Sequence, residues 1–263
     1  WLSSAKIGEM LKPMDFTSIA EKAIKEDRLT AEECRAVLCA PDEDVLELLS
    51  AAYSVRQRFC GNSVHIHVLM NAKSGLCPED CGYCSQSRIS TADIPKYALV
   101  SRDRLVEGAM AAKEAKAKRF CIVTSGRGAT WGEIDSLSEA VQRIRDEVGI
   151  KVCCCVGLLD ETKAKALKDA GVDRLNHNLN TSEEFYSEIC TSHTYQDRLD
   201  TLRAARSVGL SLCTGAIFGM GESHDDVIDT LMALRDLAPQ SIPINFLIPI
   251  EGTPLQGVHR LTL

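Results

Sequence analysis

The sequence has no long apolar run and no basic cluster, and each absence excludes a class of function. The longest stretch without a charged residue, 207–221, contains four glycines and is shorter than the roughly 20 apolar residues of a membrane-spanning helix. A net charge of -7 without a basic run argues against nucleic-acid or acidic-membrane surfaces, because clustered Lys and Arg bind phosphate groups. We therefore expect neither a membrane nor a nucleic-acid partner.

Twelve cysteines stand in a chain of 263 residues that lacks the charged and apolar regions of a signal peptide. In a chain of this size the combination is typical of a reducing compartment, where thiols bind metals more often than they pair as disulfides. The sequence thus predicts a cytoplasmic protein. Trp1 is not an initiator Met, and Leu263 closely follows a segment that contains Gly and Pro, so we expect a fragment of a longer chain.

The sequence pattern changes near residue 60. Residues 15–58 are typical of helices: Thr30 and Glu33 predict a capping box, and Pro41 and Asp42 open the next helix. From residue 63 onward, strand-like and amphipathic segments alternate. The predicted strands are 63–70, 119–123, 151–156, 174–179, 210–218 and 242–250, and the predicted helices between them are 104–118, 132–148, 161–170, 195–208 and 224–237. Such alternation predicts an α/β fold with a parallel sheet, open or closed into a barrel.

One short loop holds Cys77, Cys81 and Cys84, and Gly75 and Gly82 let its backbone wrap. Three thiolates at this spacing suit a cubane iron–sulfur cluster in which one iron has no protein ligand and can bind a substrate or cofactor. Zinc is the alternative, but structural zinc sites close with four ligands and this loop contains no histidine. Three ordinary buried cysteines fit less well, because free cysteines prefer apolar positions to a polar turn.

Further cysteines fall on separate predicted strands, at Cys121, Cys153 and Cys213. In parallel α/β folds the chemistry gathers at the carboxyl ends of the strands. Because side chains alternate along a strand, Cys153 and Cys155 share one face and Cys154 takes the other. If the shared face is the interior, the three strands can bring their cysteines to a second cluster with Cys155 close by. Core packing is the alternative for any one of them alone.

Asn176, Asn178 and Asn180 follow one face of the fourth predicted strand. Buried amides are costly unless they are hydrogen-bonded, so a polar ligand would account for them. His177 faces the other way, and we expect it to be a packed core histidine. The alternative for Asn180 is a turn into a helix that begins with Thr181 as its cap.

Together these residues resemble the biotin synthase family of radical S-adenosylmethionine enzymes. The resemblance covers about residues 63–255, whereas residues 1–60 are less distinctive. It rests on the ordered segments CPEDCGYCSQS at 77–87, NHNLNTS at 176–182, YQDRL at 195–199, the glycine-rich turn 215–222, PIN at 243–245 and GTPL at 252–255.

The resemblance implies a TIM-type (βα) barrel. We assign residues 1–60 to an N-terminal helical extension and 61–263 to the barrel, with about six of the eight βα units present and the last two beyond the sequence. A barrel without those units would expose core edges, so we expect the piece by itself to be inactive or unstable.

The resemblance also implies that Cys77, Cys81 and Cys84 hold a 4Fe-4S cluster whose open iron binds S-adenosylmethionine. One-electron cleavage of that cofactor then leads to removal of hydrogen from unactivated carbons of dethiobiotin. In the family an auxiliary 2Fe-2S cluster supplies the sulfur that closes the ring of biotin. No catalytic side chain beyond the cluster ligands is implied.

For the auxiliary cluster, the resemblance implies the ligands Cys121, Cys153 and Cys213. The fourth ligand of the family, usually an arginine, would lie beyond Leu263. Cys155 adds a thiolate to this set, so we expect that the cluster need not be the usual 2Fe-2S form.

Small-molecule contacts are also implied by the resemblance. Arg198 matches the residue that binds the carboxylate of S-adenosylmethionine, although by its sequence alone it would be a surface charge on a helix. Asn180 stands where the family often has Asp. The implied cofactor contacts are Tyr83, Asn178, Asn180, Arg198 and Ile217, and the implied substrate contacts are Asn176, Asn178 and Asn245.

Two other functions stay open at this point. A radical enzyme of the mutase or cofactor-assembly type would need no sulfur-donating cluster, and hence no Cys121, Cys153 and Cys213. A non-catalytic metal-binding fragment would not cleave S-adenosylmethionine. For a member of the biotin synthase family, the resemblance implies a homodimer that is reduced by flavodoxin or ferredoxin.

Overall fold

The computed structural model describes residues 15–261. The chain divides into two compact units, one up to Val64 and one from His65 onward, and each is described by itself. The first unit is helical, with α1 Phe16–Ile24, α2 Ala31–Leu38, a 3-10 turn Asp42–Asp44 and α3 Val45–Cys60. The capping box predicted at Thr30 and Glu33 is present at the start of α2. Asp42 opens the 3-10 turn, and α3 itself begins at Val45.

Seven strands form the parallel sheets of the second unit. They are β1 His67–Lys73, β2 Arg119–Thr124, β3 Lys151–Cys155, β4 Arg174–Asn176, β5 Ser211–Cys213, β6 Ala216–Phe218 and β7 Ile244–Phe246. The order is β1-β2-β3-β4-β5 in one sheet, and β6 pairs with β7 in another. Parallel bridges join Asn180 to Ala216 and Cys213 to Ser241, so the pairing continues from one sheet to the other. This is the arrangement expected for the wall of a (βα) barrel.

One predicted strand, 210–218, is divided in the structure into β5 and β6. The break falls at Thr214 and Gly215, where the backbone approaches the following segment closely: a Cβ on Gly215 would lie 1.9 Å from the Pro243 carbonyl oxygen. The fourth predicted strand is also shorter than expected, since β4 ends at Asn176. Asn180 then takes a left-handed backbone conformation with φ of 75°, which does not continue a strand.

Six helices accompany these strands. They are α4 Arg102–Glu114, α5 Trp131–Arg143, α6 Glu161–Ala170, α7 Tyr186–Ile189, α8 Tyr195–Ser207 and α9 His224–Leu237, and a π-helical turn, Ile144–Val148, continues α5. The predicted bounds of α6 and α9 are confirmed. The helix expected to start at Thr181 is wrong, because Thr181 is buried and α7 begins only after Phe185, without a side-chain cap.

On β2 and β3, side chains alternate between the core that faces the helices and the opposite side of the sheet, where the cavities lie. Phe120 and Ile122 on β2, with Val152 and Cys154 on β3, are buried in the apolar core. The intervening cysteines face the opposite side, as the period of two predicts. No helix between residues 15 and 261 combines the length and apolar character needed to cross a bilayer.

Candidate active site

Two adjoining cavities contain all the predicted site residues. The first, of about 320 Å³, is called the loop cavity, and the second, of about 260 Å³, the strand cavity. The loop cavity is lined by Cys77, Cys81, Tyr83, Cys84, Asn180, Arg198 and Ile217. The strand cavity is lined by Cys121, Cys153, Cys213 and Asn245. Cys155, Asn176 and Asn178 line both cavities, so they mark the junction between them.

The cysteine loop is tied to the segment that follows α7. Gly82 N–H donates to the Ile189 carbonyl at 2.8 Å, and the Asp80 carboxylate accepts from the backbone N–H groups of Thr191 at 2.9 Å and Ser192 at 3.0 Å. Burial opposes ionisation of Asp80, but hydrogen bonds from Thr191 and Ser192 outweigh it and hold the pKa far below its ordinary value. These bonds fix the loop, so its thiols are presented by an ordered backbone.

The donor set of the loop fits an iron–sulfur cluster. Cys81 is buried and Cys77 and Cys84 are half-buried, which leaves all three thiols at the wall of the cavity. Burial raises the pKa of Cys84, so its thiol is protonated at neutral pH without a metal and must lose the proton when a metal binds. Three thiols and no imidazole within one loop are suited to iron with an open corner, as the spacing predicts.

Unsatisfied polar atoms in the loop cavity point to a polar ligand. Asn178 Oδ1 and His177 Nε2 are buried and have no hydrogen-bond partner within residues 15–261. An unmade buried hydrogen bond costs about 1–3 kcal/mol, which a bound polar molecule would offset. His177 is buried as expected, but it also lines the loop cavity, which its strand position did not predict.

Arg198 lies inside the protein and not on the helix surface. Its side chain donates to the Tyr186 hydroxyl, to the Asn178 carbonyl at 2.9 Å and to His193 Nε2 at 2.9 Å. None of these partners carries a carboxylate. A buried guanidinium whose hydrogen-bond partners include no carboxylate favours an anionic ligand, and its planar fork suits a carboxylate. The surface-charge alternative for Arg198 is therefore wrong.

Asn180 connects the cysteine loop to β6. Its side-chain Nδ2 donates to the Tyr83 hydroxyl at 2.7 Å, and its carbonyl accepts from Ile217 N–H at 2.8 Å. The left-handed backbone at this position suits Asn better than most residues. Asn180 thus holds two other predicted cofactor contacts, Tyr83 and Ile217, beside it.

The register of the sheet pairs two of the strand cysteines directly and places the third two residues further along the sheet. Cys121 pairs with Cys153 across β2 and β3, and Cys213 pairs with Asn176 across β5 and β4, where Asn176 Nδ2 donates to Cys213 Sγ at 3.2 Å. The hydrogen bond from Cys153 lowers the pKa of Cys121. Burial raises the pKa of Cys155 to about 11.

Arg119 and Arg174 also line the strand cavity. Two guanidinium groups favour an anion there, so thiols with cationic neighbours suit an iron–sulfide centre. Neither arginine was singled out in the sequence, because each reads as an ordinary charge at the start of a strand. Their role follows only from the register that places them beside the cysteines.

A second group that the sequence did not reveal lies next to Cys81 in the wall of the loop cavity. Glu79 accepts hydrogen bonds from Ser192 Oγ at 2.7 Å and from His193 Nδ1, and His193 receives the Arg198 bond on its other nitrogen. Burial opposes ionisation of Glu79, but the bonds from Ser192 and His193 lower its pKa overall. The only local signal was a Cys-x-x-His spacing at 190–193, far from the cysteine loop in sequence.

Comparison with known proteins agrees with this geometry. The model of the radical SAM superfamily matches residues 73–234. The biotin synthase of Bacillus subtilis (strain 168) is 50% identical over 246 residues, which cover 94% of this chain and 73% of the relative. That of Halalkalibacterium halodurans is 48% identical over 249 residues, covering 95% of this chain and 75% of the relative.

Solved structures share the fold. Methylornithine synthase superposes with a TM-score of 0.82 at 23% identity, over 92% of this chain and 71% of that one. A FeFe-hydrogenase maturase from Carboxydothermus hydrogenoformans superposes with a TM-score of 0.79 at 20% identity, over 94% of this chain and 60% of that one. At such identities the likeness shows the fold alone, an α/β fold of TIM-barrel type. The identity of about half to curated relatives goes further, and the chain belongs to the biotin synthase family of the radical SAM superfamily.

Proposed function

We propose that the chain converts dethiobiotin to biotin by radical sulfur insertion, with a 4Fe-4S cluster, S-adenosylmethionine and an auxiliary iron–sulfur cluster. The observation that carries the proposal is the pair of adjoining cavities with Cys155, Asn176 and Asn178 at their junction. A small molecule at this junction would contact the contents of both cavities. Membership of the biotin synthase family supports the substrate.

Cys77, Cys81 and Cys84 would hold the 4Fe-4S cluster at the wall of the loop cavity. When bound, this cluster supplies the electron that cleaves S-adenosylmethionine into a hydrogen-abstracting radical, and the auxiliary cluster supplies sulfur. The protein contributes orientation and exclusion of water. Arg198 would bind the carboxylate of S-adenosylmethionine, because none of its hydrogen-bond partners is a carboxylate.

Asn178, Asn180, Tyr83 and Ile217 would orient the nucleoside part of the cofactor. Asn178 Oδ1 is an unused acceptor, which suits a ribose hydroxyl. Asn180 uses its Nδ2 on Tyr83, so its Oδ1 can accept from a second hydroxyl without a carboxylate charge. Ile217 offers an apolar surface for the adenine ring.

The auxiliary cluster would be held by Cys121, Cys153 and Cys213, with Cys155 as an additional thiolate. The lowered pKa of Cys121 favours a ligand that binds as thiolate. We infer that the presence of Cys155 permits a cluster other than 2Fe-2S. Iron and sulfide analysis with Mössbauer spectroscopy tests this, and a plain 2Fe-2S signature unchanged by Cys155→Ala would reject the extra ligand.

Asn176, Asn178 and Asn245 would bind the substrate. Asn245 Nδ2 donates to the Ala216 carbonyl at 3.2 Å, which leaves its Oδ1 free to accept from a ureido N–H. The family resemblance further supports a homodimer, an electron donor of flavodoxin or ferredoxin type, and the division into an extension at 1–60 and a barrel at 61–263.

The test is anaerobic reconstitution of the complete gene product with iron and sulfide, followed by measurement of 5'-deoxyadenosine and biotin formed from dethiobiotin. Cys84→Ala should abolish both products. Cys213→Ala should retain 5'-deoxyadenosine and lose biotin. Cys154→Ala, on the core face of β3, is the matched control and should retain both. Formation of 5'-deoxyadenosine without biotin by the unaltered protein would favour a radical enzyme without sulfur insertion.

A further inference from the structure

Three metal-binding donor atoms meet at the wall of the loop cavity, which Cys81 and His193 line. Cys81, Cys190 and His193 are all buried, and one donor atom from each lies within 4.8 Å of the others. Cys81 Sγ is 3.7 Å from Cys190 Sγ, and Cys190 Sγ is 3.2 Å from His193 Nδ1. The proposed function assigns a role only to Cys81, and leaves Cys190 and His193 without one.

Two of these separations can be compared with the edges of a tetrahedron around one metal ion. With Zn–S near 2.3 Å and Zn–N near 2.0–2.1 Å, tetrahedral geometry gives an S···S edge of about 3.8 Å and an S···N edge of about 3.6 Å. The observed 3.7 Å and 3.2 Å lie close to these values. Cysteines that bind different irons of a cubane must stand farther apart. Cys190 is thus placed to share one metal with Cys81, and not to complete the cluster.

The backbone holds these donors in place. Gly82 N–H bonds to the carbonyl of Ile189, next to Cys190 in the chain, and the Asp80 carboxylate accepts from Thr191 and Ser192 N–H. The two segments therefore run side by side on both flanks of the Cys81–Cys190 contact. A metal could bind there with rotation of side chains and little movement of the backbone, which favours affinity.

The charges around the site are mixed. Asp80 Oδ1 is 3.3 Å from Cys190 Sγ and Glu79 contacts His193, but each carboxylate also has an arginine partner, Arg88 at 3.6 Å from Asp80 and Arg127 at 3.4 Å from Glu79. The negative charge that balances a divalent cation would therefore come from the two thiolates. Binding through His193 Nδ1 would replace the hydrogen bond from Nδ1 to Glu79 and move the imidazole proton to Nε2, which would also break the bond that Arg198 donates to Nε2. Arg198 would keep its Tyr186 and Asn178 partners.

We propose that the protein without its cluster binds one Zn²⁺ through Cys81 Sγ, Cys190 Sγ and His193, with water as the fourth ligand. The metal displaces one proton from each thiol, so the two thiolates balance the charge of the ion. Since Cys81 belongs to both sites, Zn²⁺ and the 4Fe-4S cluster exclude each other. Zinc binding is independent of the proposed function, and only the exclusion rests on it.

Cobalt titration of the anaerobic, metal-stripped protein tests the site. Because the loop thiols could bind the probe themselves, the background is the Cys77→Ala/Cys84→Ala double variant, which retains all three proposed ligands. We expect one Co²⁺ with tetrahedral d–d bands and thiolate charge-transfer absorption. Adding Cys190→Ser should weaken binding about a hundredfold or more, whereas adding Cys154→Ser should not change it. No tetrahedral Co²⁺ in the double variant, or no effect of Cys190→Ser, would overturn the proposal.

A second measurement does not depend on the folding of the variants. X-ray absorption at the zinc edge of the unaltered stripped protein with one equivalent of Zn²⁺ should show two sulfurs and one imidazole. A shell of three sulfurs without imidazole would assign the zinc to the cysteine loop and contradict the proposal. Both assays omit S-adenosylmethionine and dethiobiotin, so failure here leaves the test of biotin formation untouched.

The exclusion has its own readout. Reconstitution of the unaltered zinc-loaded protein with iron and sulfide should release one Zn²⁺ for each 4Fe-4S cluster formed, followed with a chromophoric chelator and by visible absorption. Cluster formation with zinc retained would show that the two metals do not share Cys81.

Discussion

Gly215→Ala should disturb the bend at which β5 passes into β6. A Cβ at this position would lie 1.9 Å from the Pro243 carbonyl oxygen and 2.8 Å from its carbonyl carbon, whereas real Cβ contacts essentially never fall below 3.0 Å. The neighbouring atoms are backbone, which cannot rotate away as a flexible side chain would. The two segments must therefore separate by about 1 Å.

The separation has a cost that can be worked from the hydrogen bonds. Ala216 N–H donates to the Pro243 carbonyl at 3.1 Å, and the Gly215 carbonyl accepts from Asn180 N–H at 3.1 Å. Each bond contributes about 0.5–1.5 kcal/mol. Overpacking adds about 1–3 kcal/mol to the loss of stability. Ala restricts the unfolded chain more than Gly does, which reduces the loss by about 0.4–1 kcal/mol. We expect a loss of about 2–4 kcal/mol in the free energy of unfolding.

Urea denaturation of the metal-free protein under anaerobic conditions measures this loss. Gly132→Ala is the matched control: it lies in the first turn of α5 with no atom within 4 Å of the added Cβ, so the change should be neutral or stabilise by up to about 1 kcal/mol. Because Cys213 and Ile217 flank the bend, Gly215→Ala should also retain less iron. A stability within about 0.5 kcal/mol of the unaltered protein would refute the steric reasoning.

Three shorter predictions follow from single side chains. Arg198→Lys keeps the charge but cannot reach three partners at once, so affinity of the cluster-loaded protein for S-adenosylmethionine should fall at least about tenfold in equilibrium dialysis, with iron content unchanged; equal affinity would contradict the assigned role. Cys153→Ser should lower bound iron and sulfide, whereas Cys154→Ser should leave both unchanged and cost about 1–3 kcal/mol of stability, because its hydroxyl would lie in the apolar core. Burial opposes ionisation of the Asp226 carboxyl, but hydrogen bonds from Ser182 and from the cap of α9 lower its pKa in the folded protein. The ionised carboxylate therefore stabilises the fold fully above the ordinary pKa of 3.8. This stabilisation is lost as the pH falls through the lower pKa of the folded protein. Asp226→Asn should thus cost about 1 kcal/mol at pH 7, and the difference in urea midpoints should shrink towards pH 3; a constant difference would argue against this linkage.

Much of the fold follows from rules that act within a few residues. The bounds of α6 and α9 were predicted correctly because Asp160 and Ser223 cap these helices locally. The period of two placed Cys154 in the apolar core and its neighbours Cys153 and Cys155 on the face of the cavities. The short spacing of the loop cysteines likewise indicated a metal centre before any contact was known.

Other features depend on segments that are distant in the chain. Cys81 and Cys190 are 109 positions apart, and nothing near either residue signals their contact. Arg198 has the sequence pattern of a surface residue, yet it is buried, with Tyr186 of α7, the Asn178 carbonyl and His193 as its partners. The α/β alternation, the helix caps and the two sets of cysteines can be predicted from local patterns, because propensity, capping and strand alternation act within a few residues. Which cysteines meet, where β5 bends into β6 and which charges are buried depend on packing between parts of the chain that no local pattern connects.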